Sequence, residues 1–182
     1  MEDDLLMQKA AAGDVEAFGR LVRRYQRRLV RFVERMTGDA ETAEDAAQEA
    51  FLRLWRTRET YRPQGSLSSY LLRIVRNLCL DHARTGAAAA RRERAVTGAS
   101  WIEGPAAHIE AKSLAEAVRK AVHELPEPQR AVFVLSEYEG LPYREIAEAL
   151  GCPVGTVASR KRLALETLRR RLAPWREERC PK

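Results

Sequence analysis

Residues 141–162 read Leu141-Pro-Tyr-Arg-Glu-Ile-Ala-Glu-Ala-Leu-Gly-Cys-Pro-Val-Gly-Thr-Val-Ala-Ser-Arg-Lys-Arg162, and this stretch decides the fold. Its apolar residues repeat at helical spacing up to Gly151, a residue that commonly ends a helix in the left-handed conformation. A second helix is predicted to begin at Val154. The small Ala147 and the aliphatic Val157 then face each other, so the two helices can cross closely. The stretch therefore predicts a helix-turn-helix.

A polar and mostly cationic face follows on the second helix of this motif. Four residues come soon after Val157: Ser159, Arg160, Lys161 and Arg162. The major groove of DNA admits one helix, cations contact phosphates, and Arg or Ser can hydrogen-bond base edges. We interpret this face as a DNA-binding surface, and the alternative is an ordinary helical hairpin whose basic face is solvated.

Composition and charge describe a soluble, helix-rich protein with two kinds of partner. The chain has 182 residues, of which 45% are hydrophobic and 32% charged, and its net charge is +6. This length gives room for one domain or two small ones. Five acids and no base lie between Asp39 and Glu49, whereas six bases and one acid lie between Val154 and Leu172. Two surfaces of opposite sign indicate two kinds of partner.

Cysteine spacing and the N-terminal sequence indicate a reducing, intracellular location. Cys79, Cys152 and Cys180 lie far apart, so neither a disulfide framework nor a zinc module is expected. A metal-sensing pair of Cys79 and His82 is an alternative, but a core cysteine beside a solvated histidine is the favoured interpretation. No secretion signal is present, and no apolar run approaches the roughly 20 residues that span a membrane. We expect a cytoplasmic protein with no metal, no cofactor and no membrane insertion.

The N-terminal half is predicted to be a bundle of three helices. Apolar residues repeat with a period near 3.6 over 17–36, and an alanine-rich seam marks a second helix over 41–57. The other side of this second helix is acidic and polar, and we favour a solvated face over a basic partner. Ser66 or Ser68 can cap a third helix, which continues to about Arg84. Its predicted buried stripe consists of Leu67, Leu71, Ile74 and Leu78.

Cations line another face of this third helix. Arg73, Arg76, Asn77 and Arg84 are spaced so that they lie on one side. Such a face could hold a phosphate backbone, and a solvated helix is the equal alternative.

No amphipathic pattern survives from residue 87 to 112, and we predict a flexible linker there. As an extended chain this linker could reach about 86 Å at roughly 3.3 Å per residue, and as a coil it would average about 28 Å. Helices resume over 113–125 and 128–139, the helix-turn-helix follows, and the tail 175–182 is predicted to be irregular. The predicted fold is all-α, with two small helical domains at 1–86 and 113–182 joined by the linker.

Three segments, taken in order, resemble the extracytoplasmic-function (ECF, group 4) sigma factors of the sigma-70 family. Residues 45–55, Asp-Ala-Ala-Gln-Glu-Ala-Phe-Leu-Arg-Leu-Trp, resemble the core-polymerase-binding motif. Residues 76–84 resemble the minus-ten segment, and residues 125–160 resemble the C-terminal domain. The resemblance implies a region 2-like domain, a linker and a region 4-like domain.

The resemblance also implies a function. The chain would not be an enzyme; it would bind core RNA polymerase and direct promoter recognition and transcription initiation. Its partners would be the clamp coiled coil of the largest polymerase subunit, the flap of the second-largest subunit, promoter DNA and an anti-sigma factor. A base of the opened strand would enter a pocket near the loop that spans residues 61–69.

Site residues carried over by the resemblance fall into three groups. The implied polymerase-binding residues are Asp45, Gln48, Glu49, Leu52 and Arg53. The implied minus-ten residues are Tyr61, Ser66, Tyr70, Arg73, Arg76, Asn77 and Arg84. The implied minus-thirty-five residues are Thr156, Ser159, Arg160, Lys161 and Arg162. The chain departs from the family pattern at Tyr70, Leu72, Ala158 and Lys161, where a tryptophan, another aromatic, a cation and an aliphatic residue are usual.

Two other classes of protein compete with this interpretation. A stand-alone helix-turn-helix regulator would bind operators by itself and would give no role to the acidic face. A sigma-like mimic would sequester an anti-sigma factor without touching DNA, and the basic recognition face argues against it.

Overall fold

All regular structure in the described residues is helical, which confirms the predicted fold class. The computed structural model describes residues 2–62, 65–93 and 109–177, with side chains over 2–62, 65–84 and 114–175. The helices are α1 (Glu2–Ala11), α2 (Val15–Thr37), α3 (Ala40–Arg56), α4 (Leu67–Glu93), α5 (Ile109–His123), α6 (Glu127–Phe133), α7 (Tyr143–Leu150), α8 (Val154–Arg171) and α9 (Ala173–Glu177). A π-helical segment, Val134–Tyr138, follows α6 directly.

Polar caps set the ends of α2 and α3. The Asp14 carboxylate accepts a hydrogen bond from the backbone N–H of Ala17 at 2.9 Å, and Gly38 ends α2 with a φ of 78°. Asp39 caps α3 and accepts hydrogen bonds from the hydroxyl and the backbone N–H of Thr42. These hydrogen bonds lower the pKa of Asp39, since they favour its ionised form. Both helices therefore begin and end within a few residues of the predicted positions.

The predicted apolar stripe of α2 and the alanine seam of α3 pack together as the core of the N-terminal domain. Small alanines let the two helix backbones approach closely, while the larger side chains of α2 fill the space beside them. The buried members are Leu21, Tyr25, Leu29, Phe32, Val33, Met36, Ala43, Ala46, Ala47, Ala50, Phe51 and Leu54.

Helix α1 was not predicted from the sequence. Its buried residues Leu6, Met7 and Ala10 pack against α2. The Tyr25 hydroxyl donates a hydrogen bond to the Asp3 carboxylate, and burial together with this partner raises the pKa of Tyr25. A helix of this length is marginal by itself, so packing on α2 stabilises it.

The helix-turn-helix is confirmed in its local geometry. Gly151 has a φ of 60°, and its backbone N–H donates to the carbonyl oxygen of Ala147. Cys152 N–H donates to the same oxygen at 3.1 Å. Ala147 and Val157 are both buried, as the spacing predicted, and α8 begins at Val154. The turn therefore ends α7 with paired backbone groups and directs α8 across it.

Three helix boundaries differ from the predictions. Helix α4 continues to Glu93 and α5 begins at Ile109, so both helices extend into the predicted linker. The rest of that linker, residues 94–108, lies outside the described residues. The prediction of an irregular tail is wrong for residues 175–177, because α9 begins at Ala173 and contains Pro174. Proline is well tolerated in the first turn of a helix. Residues 178–182 lie outside the described part.

The two helical domains pack against each other. Helix α4 contacts α2 and α3 on one side and α7 on another, and α2 also contacts α5. The buried side chains of both domains form one continuous cluster. Helix α4 also buries three apolar side chains that the predicted stripe did not include, namely Leu72, Val75 and Cys79.

Candidate functional surfaces

Helix α3 displays an acidic and polar face opposite its alanine seam. Asp45, Gln48 and Arg53 are exposed, Glu49 is half-buried, and the Leu52 side chain is 50% exposed. Arg53 Nε donates to Glu49 Oε1 at 2.8 Å, and this hydrogen bond lowers the pKa of Glu49. The structure thus brings the five predicted polymerase-binding residues onto one helix face.

An apolar groove of about 440 Å³ lies beside this acidic face, between α2 and α3. The Phe18 and Trp55 rings meet there with their centroids 4.9 Å apart. Phe18 and Val22 were predicted to belong to the core, yet both are only half-buried. Because Gln48 and Leu52 line both the groove and the acidic face, the two features form one continuous surface. The groove was not predicted from the sequence, because its apolar residues cannot be distinguished by residue type and spacing from residues of a buried core.

A cluster of aromatic and cationic side chains lies near the N-terminus of α4, and Tyr61 joins it from the loop that precedes this helix. The Tyr61 and Tyr70 rings are in edge contact, with centroids 5.1 Å apart. The guanidinium of Arg73 lies 5.5 Å from the Tyr70 ring centroid. Asn77 and Arg84 are exposed further along the same side of the helix. Tyr61 and Tyr70 are half-buried, whereas Arg73 is exposed. Five of the seven predicted minus-ten residues therefore lie along one side of α4 and the loop before it.

The other two predicted minus-ten residues have different surroundings. Ser66 caps α4, since its hydroxyl oxygen accepts a hydrogen bond from the backbone N–H of Ser69 at 3.1 Å. Arg76 points toward the C-terminal domain, where its Nε and Nη2 pair with the two carboxylate oxygens of Glu127 at 2.9 and 3.1 Å. The structure therefore separates Arg76 from the exposed cluster of α4.

The second helix of the helix-turn-helix, α8, presents a polar face near its start. Ser159 and Arg162 are exposed, whereas Thr156 and Arg160 are half-buried. Ser159 Oγ donates to the carbonyl oxygen of Thr156 at 3.0 Å, and Arg162 Nη1 pairs with Glu166 at 2.6 Å. These side chains are accessible to a ligand that approaches along α8.

Lys161 is half-buried against the surface of the C-terminal domain. Its ammonium lies 2.6 Å from Glu137 Oε1 and 5.3 Å from the Tyr143 ring centroid, and only 19% of its side chain is exposed. The hydrogen bond to Glu137 raises the pKa of Lys161. Lys161 thus ties α8 to the π-helical segment that contains Glu137, which distinguishes it from its exposed neighbours.

Cys79 and His82 differ in their surroundings. Burial raises the pKa of the Cys79 thiol to about 12, while His82 is exposed. Among the residues that the structure describes, no group of three or more His, Cys, Asp or Glu is placed to hold a metal ion. No helix in the same residues is long and apolar enough to cross a membrane.

Two family models match the chain, one for each domain. The model for Sigma-70 region 2 matches residues 21–89, and the model for Sigma-70 region 4 matches residues 115–168. The RNA polymerase sigma-H factor of Pseudomonas aeruginosa is 32% identical, with 97% of each chain covered. The ECF RNA polymerase sigma factor SigK of a Mycobacterium species is 31% identical, with 91% of this chain and 88% of the relative covered.

Solved structures show the same fold over nearly the whole chain. CnrH, solved in complex with the cytosolic domain of CnrY, superposes with a TM-score of 0.74 at 24% identity and covers 96% of this chain and 99% of its own. The sigma factor RpoE of Bartonella quintana, solved with the anti-sigma factor NepR, gives a TM-score of 0.68 at 22% identity. This match covers 86% of the present chain and 96% of RpoE.

Proposed function

This chain belongs to the extracytoplasmic-function sigma factors of the sigma-70 family, and from this membership we propose which of its surfaces bind polymerase and which bind the promoter. Sigma factors are transcription-initiation factors rather than enzymes, and the predicted function is confirmed by the relatives. We assign residues 1–86 to polymerase and minus-ten binding and residues 113–182 to minus-thirty-five binding. Residues 87–112 join the two.

The polymerase-binding surface is the acidic face of α3 together with the adjoining apolar groove. The observation that carries this proposal is the continuity of the two features through Gln48 and Leu52. A helix of the clamp coiled coil can place apolar side chains in the groove while its cations pair with Asp45 and Glu49. An exposed apolar patch rimmed by charges is typical of a protein-binding site.

The minus-ten surface is the exposed side of α4. Tyr61 and Tyr70 offer ring faces and edges on which an unpaired base can stack, and Arg73, Asn77 and Arg84 can bind the backbone of the same strand. Arg76 joins this surface only when the two domains separate. Ser66 contributes through its cap, since the cap fixes the first turn of α4 and thereby the position of Tyr70.

The minus-thirty-five surface is the start of α8. In this proposal Ser159, Arg160 and Arg162 contact base edges and phosphates in the major groove, with Thr156 at the N-terminal end of the same face. Lys161 stabilises this surface indirectly, because its ion pair with Glu137 fixes the rotation of α8. The remaining surface of this domain would dock on the flap of the second-largest subunit.

We assign the protein to the cytoplasm, where core polymerase and DNA are found. An anti-sigma factor is its expected regulatory partner, in line with the complex reported for RpoE of Bartonella quintana.

Binding to core polymerase tests the proposal. The variant D45K/E49K reverses two charges on the acidic face, and we expect it to lower the affinity for core polymerase at least a hundredfold. The matched control E59K/E116K makes the same change in net charge at two strongly exposed carboxylates elsewhere. Unchanged helical content by circular dichroism establishes that each variant is folded. Equal affinities of the two variants would refute the assignment.

A further inference from the structure

Gly19 lies inside α2, where a glycine weakens a helix. It is the fifth residue of this helix, and its φ is negative, as in the rest of α2. A glycine at an interior helix position is less favourable than an alanine, because it loses more conformational freedom on folding. The backbone conformation of α2 therefore gives no reason for a glycine at position 19.

Packing within the protein gives no reason for this glycine either. A Cβ atom built on Gly19 would have one neighbour within 4 Å among the described residues, Arg23 Nη1 at 3.5 Å. This distance is an ordinary van der Waals contact, and Nη1 is the far end of a flexible, exposed side chain. No atom of another described helix lies as close to that position. An alanine at position 19 would therefore fit the free protein.

Position 19 belongs to the row of α2 residues that forms one wall of the apolar groove. Val15, Val22 and Gln26 line the groove, and steps of four, three and four residues place them with Gly19 on one side of the helix. Val15 is 69% exposed and Val22 is half-buried, so this wall is accessible to a partner. The missing side chain leaves a gap in the wall, where a partner can reach the backbone of α2.

The opposite wall of the groove is held in place by contacts around Trp55. The Arg58 guanidinium lies 4.2 Å from the Trp55 ring centroid, and its Nη1 donates to the Trp55 carbonyl oxygen at 2.8 Å. The Phe18 ring contacts Trp55 from the α2 side. These contacts fix the indole ring, so the protein itself sets the width of the groove. A side chain added at position 19 would consequently displace the partner rather than the opposite wall.

We propose that the polymerase helix in the groove packs directly against the backbone of α2 at Gly19, so that the absence of a side chain at this position is a determinant of polymerase binding. Packed helices lie about 8–10 Å apart, and the side chains at the contact set the distance. The acidic face of α3 supplies charge complementarity, while Gly19 fixes where the partner crosses α2. This inference rests on the proposed polymerase-binding role of the groove.

Exchange of Gly19 for alanine should change stability and polymerase affinity in opposite directions. We expect G19A to raise the urea midpoint of the free protein, because alanine favours the helix. The same variant should bind core polymerase about tenfold more weakly, because its methyl group overfills the contact. G19L should lower this affinity further. A change that acted only through the fold would move stability and affinity in the same direction.

The matched control is G155A, which makes the same exchange in the first turn of α8. A Cβ atom at Gly155 would also meet nothing that must shift, since no atom lies within 4 Å of it. We expect G155A to bind core polymerase like the wild type.

Three results would overturn the inference: wild-type polymerase affinity in G19A, an equal loss of affinity in G155A, or a lower urea midpoint in G19A. Comparison with D45K/E49K separates this inference from the proposed function. If D45K/E49K loses affinity and G19A keeps it, only the role of Gly19 fails. If both variants keep it, the proposed polymerase-binding surface fails as well.

Discussion

Arg76 and Glu127 lie 51 positions apart in the chain and form a two-pronged ion pair in which each guanidinium nitrogen faces its own carboxylate oxygen, at 2.9 and 3.1 Å. Both side chains are largely shielded from solvent, with 17% and 21% exposure. Pairs of this geometry are among the stronger ion pairs in proteins. This ion pair therefore stabilises the packing of the two domains, and it involves Arg76, a residue that we assign to DNA binding.

A double-mutant cycle should detect coupling between these two residues. We expect R76Q, E127Q and the double variant to give a coupling free energy of about 1–2 kcal/mol in urea unfolding, because the pair is shielded and two-pronged. The exposed pair of Glu116 and Arg119, 3.9 Å apart, provides the control cycle and should give less than about 0.5 kcal/mol. Similar coupling free energies in the two cycles would contradict a stabilising role of the ion pair between Arg76 and Glu127.

Cys79 should report opening of the domains through its reactivity. Its thiol is buried, and burial raises its pKa to about 12, so far less of it is ionised at pH 8 than of an exposed cysteine. In a C152S/C180S background we expect slow alkylation by iodoacetamide in the wild type and at least tenfold faster alkylation in E127Q/E139Q, which removes two carboxylates that form ion pairs across the domain interface. The control E116Q/E124Q, whose carboxylates pair within the C-terminal domain, should react like the wild type. Rapid labelling of the wild type at neutral pH would show that the packed arrangement of the two domains is not the main one.

Arg160 and Lys161 should differ in their effects although they are adjacent. R160A should weaken binding to the minus-thirty-five element by about 1–3 kcal/mol if the guanidinium contacts a base. K161M keeps most of the buried aliphatic stem but removes the ion pair with Glu137, so we expect a lower unfolding temperature with little change in sequence preference. Both variants are measured by fluorescence anisotropy with the holoenzyme on matched and mismatched elements. A change of base preference in K161M would instead place Lys161 in direct contact with DNA.

Leu52 should contribute to polymerase binding without stabilising the fold. Its side chain is half exposed beside the groove, so L52E should change the free energy of unfolding by less than about 0.5 kcal/mol. We expect the same variant to lower polymerase affinity at least tenfold, because a charge enters an apolar contact. The control L5E alters a leucine of equal exposure on α1. Equal losses of affinity in both variants would argue against the groove.

Local sequence was sufficient to predict the helix-turn-helix. Its turn depends on the left-handed conformation of Gly151, and its helix crossing depends on the small Ala147 facing Val157. Both features depend on residues that lie within a dozen positions of each other, so periodicity and residue type are sufficient to predict them. Helices α2, α3 and α4 of the N-terminal domain were predictable for the same reason.

The interface between the domains was not predictable from local pattern. Helices more than 50 residues away in the sequence cover the second buried face of α4. Nothing in the local sequence around Leu72 and Cys79 indicates that these residues belong to a buried face. Arg76 was grouped with Arg73 because the two share a broad side of the helix, yet Glu127 draws only Arg76 toward the C-terminal domain. Helix α1 was missed because it is short and depends on packing against α2.

Run-off transcription tests the central claim most directly. Purified core polymerase is incubated with fragmented genomic DNA from the source organism, with and without this protein, and the new 5′ ends are mapped. We predict discrete start sites that share two upstream elements about 25 base pairs apart, and we predict that D45K/E49K abolishes them while E59K/E116K does not. Specific DNA binding by the protein alone, with no new start sites, would contradict the account and indicate a stand-alone regulator.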